Sequence, residues 1–174
     1  DITDRSADLW IIDFFGHQLA EAAAYEAPYK ALEQHLPSAR STNREQRTAG
    51  QWWLFRRSGS EVRSGSESLQ GTIKTSLVSK FRLFVFKDQP TLPDTRVVTI
   101  FRDDLTSFGL LNSSFHEKWS LGLCQYHGVG NDPVYTHNTT LETFPFPEGL
   151  TPNLPASAYA ADPRAIRIAA AAKL

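Results

Sequence analysis

The sequence predicts a mixed fold of helices and strands, α/β in the broad sense and α+β in the strict one. We expect a single domain in which helices flank a twisted, mostly antiparallel sheet. Two observations indicate this class. Segments with helical spacing alternate with short runs of β-branched and aromatic residues, and no internal repeat is present. At 174 residues, 41% of them hydrophobic, the chain is long enough for one domain with a substantial core, whereas two domains would be crowded.

The N-terminal third predicts one strand and a broken helix. Residues 9–15 form a short apolar run of the length expected for a buried strand. Residues 18–36 have helical spacing, and Pro28 should end one helix and start another. Residues 58–71 are rich in Ser and Gly but contain helical residues, so a mobile linker and a weak helix both stay open.

The central part of the chain predicts the sheet. Its strand candidates are rich in β-branched and aromatic residues and are bounded by Pro, Asp or Gly. They cover residues 72–78, 81–87, 96–102 and 107–111. Their spacing favours a largely antiparallel arrangement.

Capping patterns predict two helices. Ser114 and Glu117 have the capping-box spacing, in which each side chain satisfies a free backbone N–H, so a helix should cover residues 115–123. Asp162 and Pro163 supply a cap and a first-turn proline for a last, Ala-rich helix. We expect that helix to continue in a longer polypeptide.

The composition predicts a soluble cytoplasmic protein. A single cysteine, Cys124, excludes an internal disulfide and suits a reducing compartment. No apolar run approaches the roughly 20 residues that span a bilayer, and no basic-then-apolar leader precedes Leu9, so no membrane partner is expected. Because the chain contains no Met, we expect it to begin and end inside a larger protein.

The basic residues are concentrated in one stretch of the chain. The formal net charge is −1, yet residues 40–87 contain ten Lys or Arg and only three Glu. A charge run of this kind often forms a solvated helix face. Here aromatic residues are interleaved with the bases, which favours a surface that follows nucleic-acid phosphates, and the acidic flanks would face other domains.

Residues 125–147 combine turn formers with hydrogen-bonding side chains. Gly, Asn, Asp, His, Thr and Tyr are packed into a segment that is closed by Pro. Such a segment belongs on the surface and not in the core. It is either an ordinary set of turns, as Asn-Asp-Pro often is, or a loop that reads a ligand.

Seven sequence blocks occur in order along nearly the whole chain. They are LWIIDFF from Leu9, YEAPYK from Tyr25, QWWLF from Gln51, LVSKFRLFVF from Leu77, LPDTRVVTIFRDD from Leu92, SSFHEKWSL from Ser113, and GVGNDPVYT with TTLETFPFPEGLTPN from Gly128. The last block is similar to the C-terminal part of the target recognition domain of large DNA adenine methyltransferases, especially the MmeI-like single-chain restriction-modification enzymes of bacteria. The other six blocks fall in the same order as in that family.

The resemblance implies a module that binds double-stranded DNA and is not catalytic by itself. Residues 1–50 would be a helical lead-in from the methyltransferase core, residues 51–150 the recognition domain, and residues 151–174 the start of a C-terminal helical segment. The resemblance also favours the helix within residues 58–71. S-adenosylmethionine would bind to the methyltransferase domain of the same polypeptide. The alternative is a protein-docking and DNA-positioning module of a nuclease-free phage-defence methyltransferase.

Signatures of catalysis are incomplete in this chain. Residues 131–135 (NDPVY) depart from the Asn/Asp-Pro-Pro-Tyr motif that holds a flipped base, because an Asp replaces the first Pro and a Val precedes the Tyr. No Gly-rich turn for S-adenosylmethionine follows a strand, and Pro93-Asp94 lacks the acidic-x-Lys pair of a nuclease. Cys124 and His127 lack the paired spacing of a zinc site, and no Gly-x-Ser-x-Gly elbow is present. We therefore predict neither an enzyme nor a metal site.

Direct reading of DNA needs side chains that match the base edges. Asn or Gln suits adenine, Arg or Lys suits guanine, and Asp or Glu suits cytosine. The resemblance supplies only the position of the reading loop, because the residue types differ from the charged ones that family members often carry. Asp132 is either a cytosine reader or a turn residue, and the recognised sequence stays open. The candidate base-reading residues are Asn131, Asp132, Tyr135, His137 and Asn138.

Phosphate contacts are predicted from the basic stretch. Lys80 and Arg82 alternate with apolar residues at the start of a predicted strand, so both should point outward. In the alternative, Arg82 pairs with Asp103 or Asp104 within the sheet. The further candidates are Arg56, Arg57 and Lys74.

Several aromatic residues are assigned supporting roles. Trp52 and Trp53 are expected to be core or interface residues and not base-stacking ones. Phe144 and Phe146 lie in a Pro-punctuated segment and are expected to lock the reading loop onto the body of the domain. Rigid anchoring matters because a mobile loop does not hold its side chains in the positions that distinguish one base from another.

Overall fold

The structure, a computed structural model, describes residues 10–37, 50–88 and 91–173. It is α+β, as predicted, with helices accompanying a three-stranded and a two-stranded antiparallel sheet. The described residues divide between Ser60 and Glu61 into an N-terminal unit and a C-terminal unit, each with a buried core. Within these ranges, no helix combines the length and the apolar character needed to cross a bilayer.

The N-terminal unit contains two short helices, α1 (Leu19–Ala23) and α2 (Glu26–Glu33). The predicted break in the helical segment is confirmed, but it falls at Ala24 and Tyr25, and Pro28 lies within the first turn of α2. A proline is tolerated there because the first backbone N–H groups of a helix have no intrahelical acceptor.

The strand predicted at residues 9–15 is wrong over its described part, residues 10–15, which form no strand. Phe14 is instead buried in a cluster with Ala22 and Trp53. The indole N–H of Trp53 donates to the carbonyl of His17 at 3.0 Å, and the core role predicted for this tryptophan is confirmed. Only Phe14 of this run is buried, whereas Trp10 and Ile11 are 96% and 60% exposed, so the run does not behave as a buried strand.

The C-terminal unit contains the main sheet. After α3 (Ser60–Ser66), the chain forms β1 (Gly71–Ser76), β2 (Phe84–Asp88) and β3 (Val97–Ile100). Strand β1 is central and antiparallel to both neighbours, so the order is β2-β1-β3. The helix within residues 58–71 and the first three predicted strands are therefore confirmed, with shifted ends.

The fourth predicted strand, residues 107–111, is wrong because helix α4 (Leu105–Leu111) occupies that place. Asp104 caps this helix, and its Oδ1 accepts a hydrogen bond from the Ser107 backbone N–H at 2.8 Å. Helix α4 buries its apolar face in the core and packs beside the last helix of the chain. The cap and this packing decide the conformation of a segment whose residue types also suit a strand.

The two helices predicted from capping patterns are confirmed. Helix α5 (Ser114–Leu123) is capped by Ser113 and not by Ser114, because the Ser113 Oγ accepts from the His116 N–H at 3.2 Å. Helix α6 (Pro163–Ala171) is capped by Asp162 as predicted.

Two buried clusters form the core of the C-terminal unit. One lies between the sheet and the helices and contains Ile73, Phe84, Ile100, Leu111 and Tyr135. The other contains Leu110, Leu150, Tyr159 and Ala165. Phe146 packs against both clusters, so the Pro-punctuated segment after the predicted reading loop is anchored in the core.

Candidate nucleic-acid interface

A short β-hairpin forms the first half of the predicted reading loop. Strand β4 (Gln125–His127) pairs with β5 (Asp132–Val134) in antiparallel register, with Gln125 opposite Val134. Gly128 and Gly130 in the connecting turn have φ angles of 68° and 87°, which side-chain-bearing residues adopt at a cost. The Gly-x-Gly-Asn sequence therefore suits a hairpin tip, and the three residues of β4 are exposed.

Backbone hydrogen bonds attach this hairpin to the segment that contains Lys80. The Tyr135 N–H donates to the Leu77 carbonyl at 2.7 Å, and the Ser79 N–H donates to the Pro133 carbonyl at 3.2 Å. Val78 and Val134 form a bridge between these bonds. The exposed side chain of Lys80 therefore follows directly on a segment that is hydrogen-bonded to the hairpin.

The chain after the hairpin forms a π-helical turn, His137–Leu141. It is closed by the Glu142 N–H, which donates to the His137 carbonyl at 2.8 Å. The hydroxyl of Thr140 is buried and donates to the Thr136 carbonyl at 2.6 Å. His137 and Asn138 are exposed at the start of the turn, as a base-reading role requires.

Tyr135 does not share this exposure, and the prediction that it reads a base is wrong for this conformation. Its side chain is fully buried, and its hydroxyl lies 2.9 Å from Nε2 of His116. Burial raises the pKa of Tyr135 and also lowers the pKa of His116 to about 4, with the Arg82 guanidinium as a second cause of the His116 shift. Tyr135 is thus a core anchor between the hairpin and the π-helical turn.

Arg82 is also buried, and the prediction that it points outward with Lys80 is wrong. Its guanidinium donates to the Ser76 carbonyl at 2.9 Å and lies 4.8 Å from the ring centre of Tyr135. Burial lowers the pKa of Arg82. Strand β2 begins only at Phe84, and before it Phe81 and Leu83 are exposed while Arg82 is buried, which is the reverse of the predicted alternation.

The alternative for Arg82, an ion pair with Asp103 or Asp104, is wrong as well. Asp104 pairs with Arg102, whose Nη2 lies 2.8 Å from Oδ2. Arg102 also donates to the hydroxyl of Tyr159, which in turn donates to Asp104. These contacts hold the ends of β3 and α4 and do not involve the predicted reading loop.

Lys74 is the second phosphate candidate that the structure buries. It lies on the central strand β1, its side chain is 3% exposed, and its Nζ donates to the Thr91 carbonyl at 3.0 Å. Burial, followed by the charge of Lys87, lowers its pKa. In this conformation Lys74 cannot reach a phosphate, so that prediction is wrong too.

The remaining phosphate candidates are exposed. Arg56 and Arg57 lie on the surface of the N-terminal unit, and Lys80 lies on the surface of the C-terminal unit. Among the base-reading candidates, Asn131 is exposed at the hairpin tip, and Asp132 is half-buried at the start of β5. The structure thus brings Asn131 and Asp132 together in the hairpin, and it separates them from His137 and Asn138 by the buried Tyr135.

The anchoring role predicted for the two phenylalanines is confirmed. The Phe144 ring lies 4.6 Å from the His116 ring and 4.8 Å from the Phe146 ring, in edge-to-face contacts. Because His116 also contacts Tyr135, both ends of the π-helical turn are fixed to the same aromatic cluster. This arrangement limits the freedom of the exposed side chains between them.

Comparisons with known proteins give no relative. No family model, curated protein or solved structure matches the chain. The geometry of the site therefore carries the functional conclusion.

Sequence reasoning missed the exposed strand of the hairpin. Gln125, Tyr126 and His127 all project from β4, and Val129 at the tip is 94% exposed. The Gly-x-Gly-Asn-Asp turn between two short runs with polar and aromatic residues could have indicated this hairpin. Over the described ranges, no three His, Cys, Asp or Glu residues are grouped closely enough to hold a metal ion.

Proposed function

We propose that this chain is a sequence-specific DNA-binding module, the target recognition domain of a bacterial DNA adenine methyltransferase from a restriction-modification system. One observation carries the proposal. A two-stranded hairpin, with its first strand and its tip exposed and its second strand largely buried, is held by backbone hydrogen bonds against a segment that ends in the exposed Lys80. This arrangement combines an element for reading bases with a cation for binding phosphate.

The hairpin has a shape that suits the major groove of duplex DNA. That groove admits a two-stranded β-ribbon, and its base edges carry distinct patterns of donors and acceptors. Asn131 at the tip and Gln125 on β4 carry amides that suit adenine, and Asp132 suits the amino group of cytosine. Asn138 and His137 extend the same set of polar side chains after the buried Tyr135.

Phosphate contacts would fix the position of the module on the duplex. Lys80 directly follows Ser79, whose N–H donates to the Pro133 carbonyl of the hairpin. Arg56 and Arg57 are exposed cations of the N-terminal unit and are separate candidates. Such contacts orient a protein but carry no sequence information. Arg82 and Lys74 are left out of this role because they are buried.

The chemistry would belong to the rest of the parent protein. A methyltransferase domain in the same polypeptide would bind S-adenosylmethionine and flip the target adenine out of the duplex in the cytoplasm. This module would choose the site and would not itself be an enzyme. The anchoring of Tyr135 and Phe144 supports such a role, because a rigid loop discriminates between bases better than a mobile one.

Selection of binding sites from a random duplex library tests the proposal. We expect the chain to enrich one short motif, and the Asn131→Ala variant to relax the preference at one position of that motif. The Lys118→Ala variant removes an exposed lysine from α5 and should leave the motif unchanged. If low-salt selection enriches no motif at all, the proposal of sequence-specific recognition is wrong.

A protein-docking module of a nuclease-free phage-defence methyltransferase is the second candidate function. The observation in its favour is that Tyr126 and Val129 expose apolar surface on the same hairpin, with exposed fractions of 53% and 94%. This function predicts weak DNA binding that hardly depends on salt. Steep salt dependence of duplex binding would decide against it.

A further inference from the structure

The loop between β1 and β2 presents a phenylalanine ring to solvent. Phe81 is 81% exposed, and it directly follows the exposed Lys80. The backbone at this point is held by Ser79, whose Oγ donates to the Phe81 carbonyl at 2.8 Å and accepts from the Phe81 N–H at 3.3 Å. The ring is therefore presented from a hydrogen-bonded turn.

Polar and apolar residues both stand beside this ring in the chain, since Lys80 is exposed and Leu83 is 46% exposed. Arg82, the next residue, turns into the core, and Ser79 is hydrogen-bonded to the hairpin through Pro133. A protein-docking site has an apolar centre from which charges are depleted. The charge of Lys80 directly before the exposed ring instead favours nucleic acid, because bases stack on aromatic rings while cations bind the adjacent phosphates.

We propose that Phe81 is a base-stacking residue, which packs its ring against a nucleobase that has left the regular stack of the duplex. The proposal rests on the proposed DNA-binding function and assigns to this surface a second way of contacting DNA, through base faces and not base edges. Lys80 would bind the phosphate next to the unstacked base.

A mismatch test separates stacking from general affinity. The probes are two fluorescein-labelled duplexes of about 20 base pairs, roughly two helical turns, one fully paired and one with a central mismatch. Unstacking costs least at a mismatched base, so a stacking residue favours the mismatched duplex. We expect the native chain to bind the mismatched duplex more tightly, and Phe81→Ala to abolish this preference and weaken mismatch binding about fivefold or more.

Two control variants belong to the same experiment. Phe115→Ala removes a phenylalanine that is 79% exposed on α5 and should keep both the affinity and the mismatch preference. Lys80→Ala should weaken binding to both duplexes and leave their ratio unchanged, because it removes a phosphate contact only. Thermal melting of each variant checks that the exposed substitutions leave the fold intact.

The possible failures are distinguishable. If the native chain binds but Phe81→Ala behaves like Phe115→Ala, the stacking role is wrong while the DNA-binding function stands. If the native chain binds neither duplex at low salt, both proposals are wrong. If Phe81→Ala changes the oligomeric state in sedimentation and leaves DNA binding unchanged, the ring is a contact between proteins.

Discussion

Tyr135 links the exposed hairpin to the core through one buried hydroxyl. We expect Tyr135→Phe to lower the free energy of unfolding by about 1–3 kcal/mol, because Nε2 of His116 loses its partner at 2.9 Å in a buried site. Tyr126→Phe is the matched control, since that hydroxyl is 3.4 Å from the Leu121 carbonyl and the side chain is half exposed. Urea denaturation measures both changes, and equal effects would contradict the role of Tyr135.

His116 makes stability depend on pH in a defined window. Its pKa falls from 6.5 to about 4 in the folded chain, so between these values the unfolded chain binds the additional proton. Stability should therefore fall as the pH drops from about 6.5 to about 4, by at most about 3 kcal/mol, and this residue should have no effect above that window. Denaturation at a series of pH values should show a smaller slope for His116→Gln than for the native chain.

Asp162 provides a check on the assignment of this pH dependence to His116. Hydrogen bonds from the Arg164 side chain lower the pKa of this half-buried carboxyl from 3.8 to about 2, so its stabilising effect is lost only as the pH falls below about 4. The Asp162→Asn variant should therefore keep the slope between pH 6.5 and 4. A slope that persists in His116→Gln would instead assign the proton uptake to another group.

At the scale of elements, the contact between α4 and α6 depends on a glycine. A Cβ at Gly109 would lie 2.8 Å from Cγ2 of Ile168 and 3.1 Å from its backbone oxygen. Gly109→Ala should therefore destabilise the C-terminal unit, although alanine favours a helix. Gly122→Ala in α5 is the control, because a Cβ there meets nothing within 4 Å, and it should stabilise by up to about 1 kcal/mol. Thermal melting that shows the same sign for both variants would contradict this packing.

Local sequence patterns predicted most of the helices and strands, but they did not predict which side chains are buried in every case. The capping pattern at Asp162 and the β-rich runs of the sheet are local signals, and those elements are confirmed. Residues 107–111 carry residue types that suit a strand or a helix, and the Asp104 cap and packing on α6 decide for the helix. These determinants include a long-range contact that no local window contains.

In the candidate site, too, local sequence patterns do not predict what depends on long-range contacts. Turn formers predict a surface loop at residues 125–147, and the hairpin tip within it is exposed. The burial of Arg82 and Tyr135 was not predictable, because it depends on the bridge between Val78 and Val134 and on the contact with His116. Alternation predicts an outward side chain only inside a strand, and Arg82 precedes β2.

At the scale of the whole molecule, burial removes two members of the basic stretch from the described surface. Of the ten bases between residues 40 and 87, Arg40, Arg44 and Arg47 lie outside the described residues, and Lys74 and Arg82 are buried. Arg63 and Lys87 are half-buried. The exposed bases among the phosphate candidates are Arg56, Arg57 and Lys80.

The three exposed phosphate candidates predict how DNA binding should change with salt. Each neutralised phosphate contributes about 0.9 to the slope of log affinity against log salt, so each of Arg56, Arg57 and Lys80 that binds a phosphate should steepen the slope by about that amount. Lys80→Ala should make the slope shallower by about one, and the double change at Arg56 and Arg57 by about two, while Lys118→Ala should not alter it. Fluorescence anisotropy over a salt series measures these slopes. A slope that the triple variant leaves unchanged would mean that other bases bind the phosphates, with Arg40, Arg44 and Arg47 the next to replace, and the interface assigned to Lys80 would be wrong.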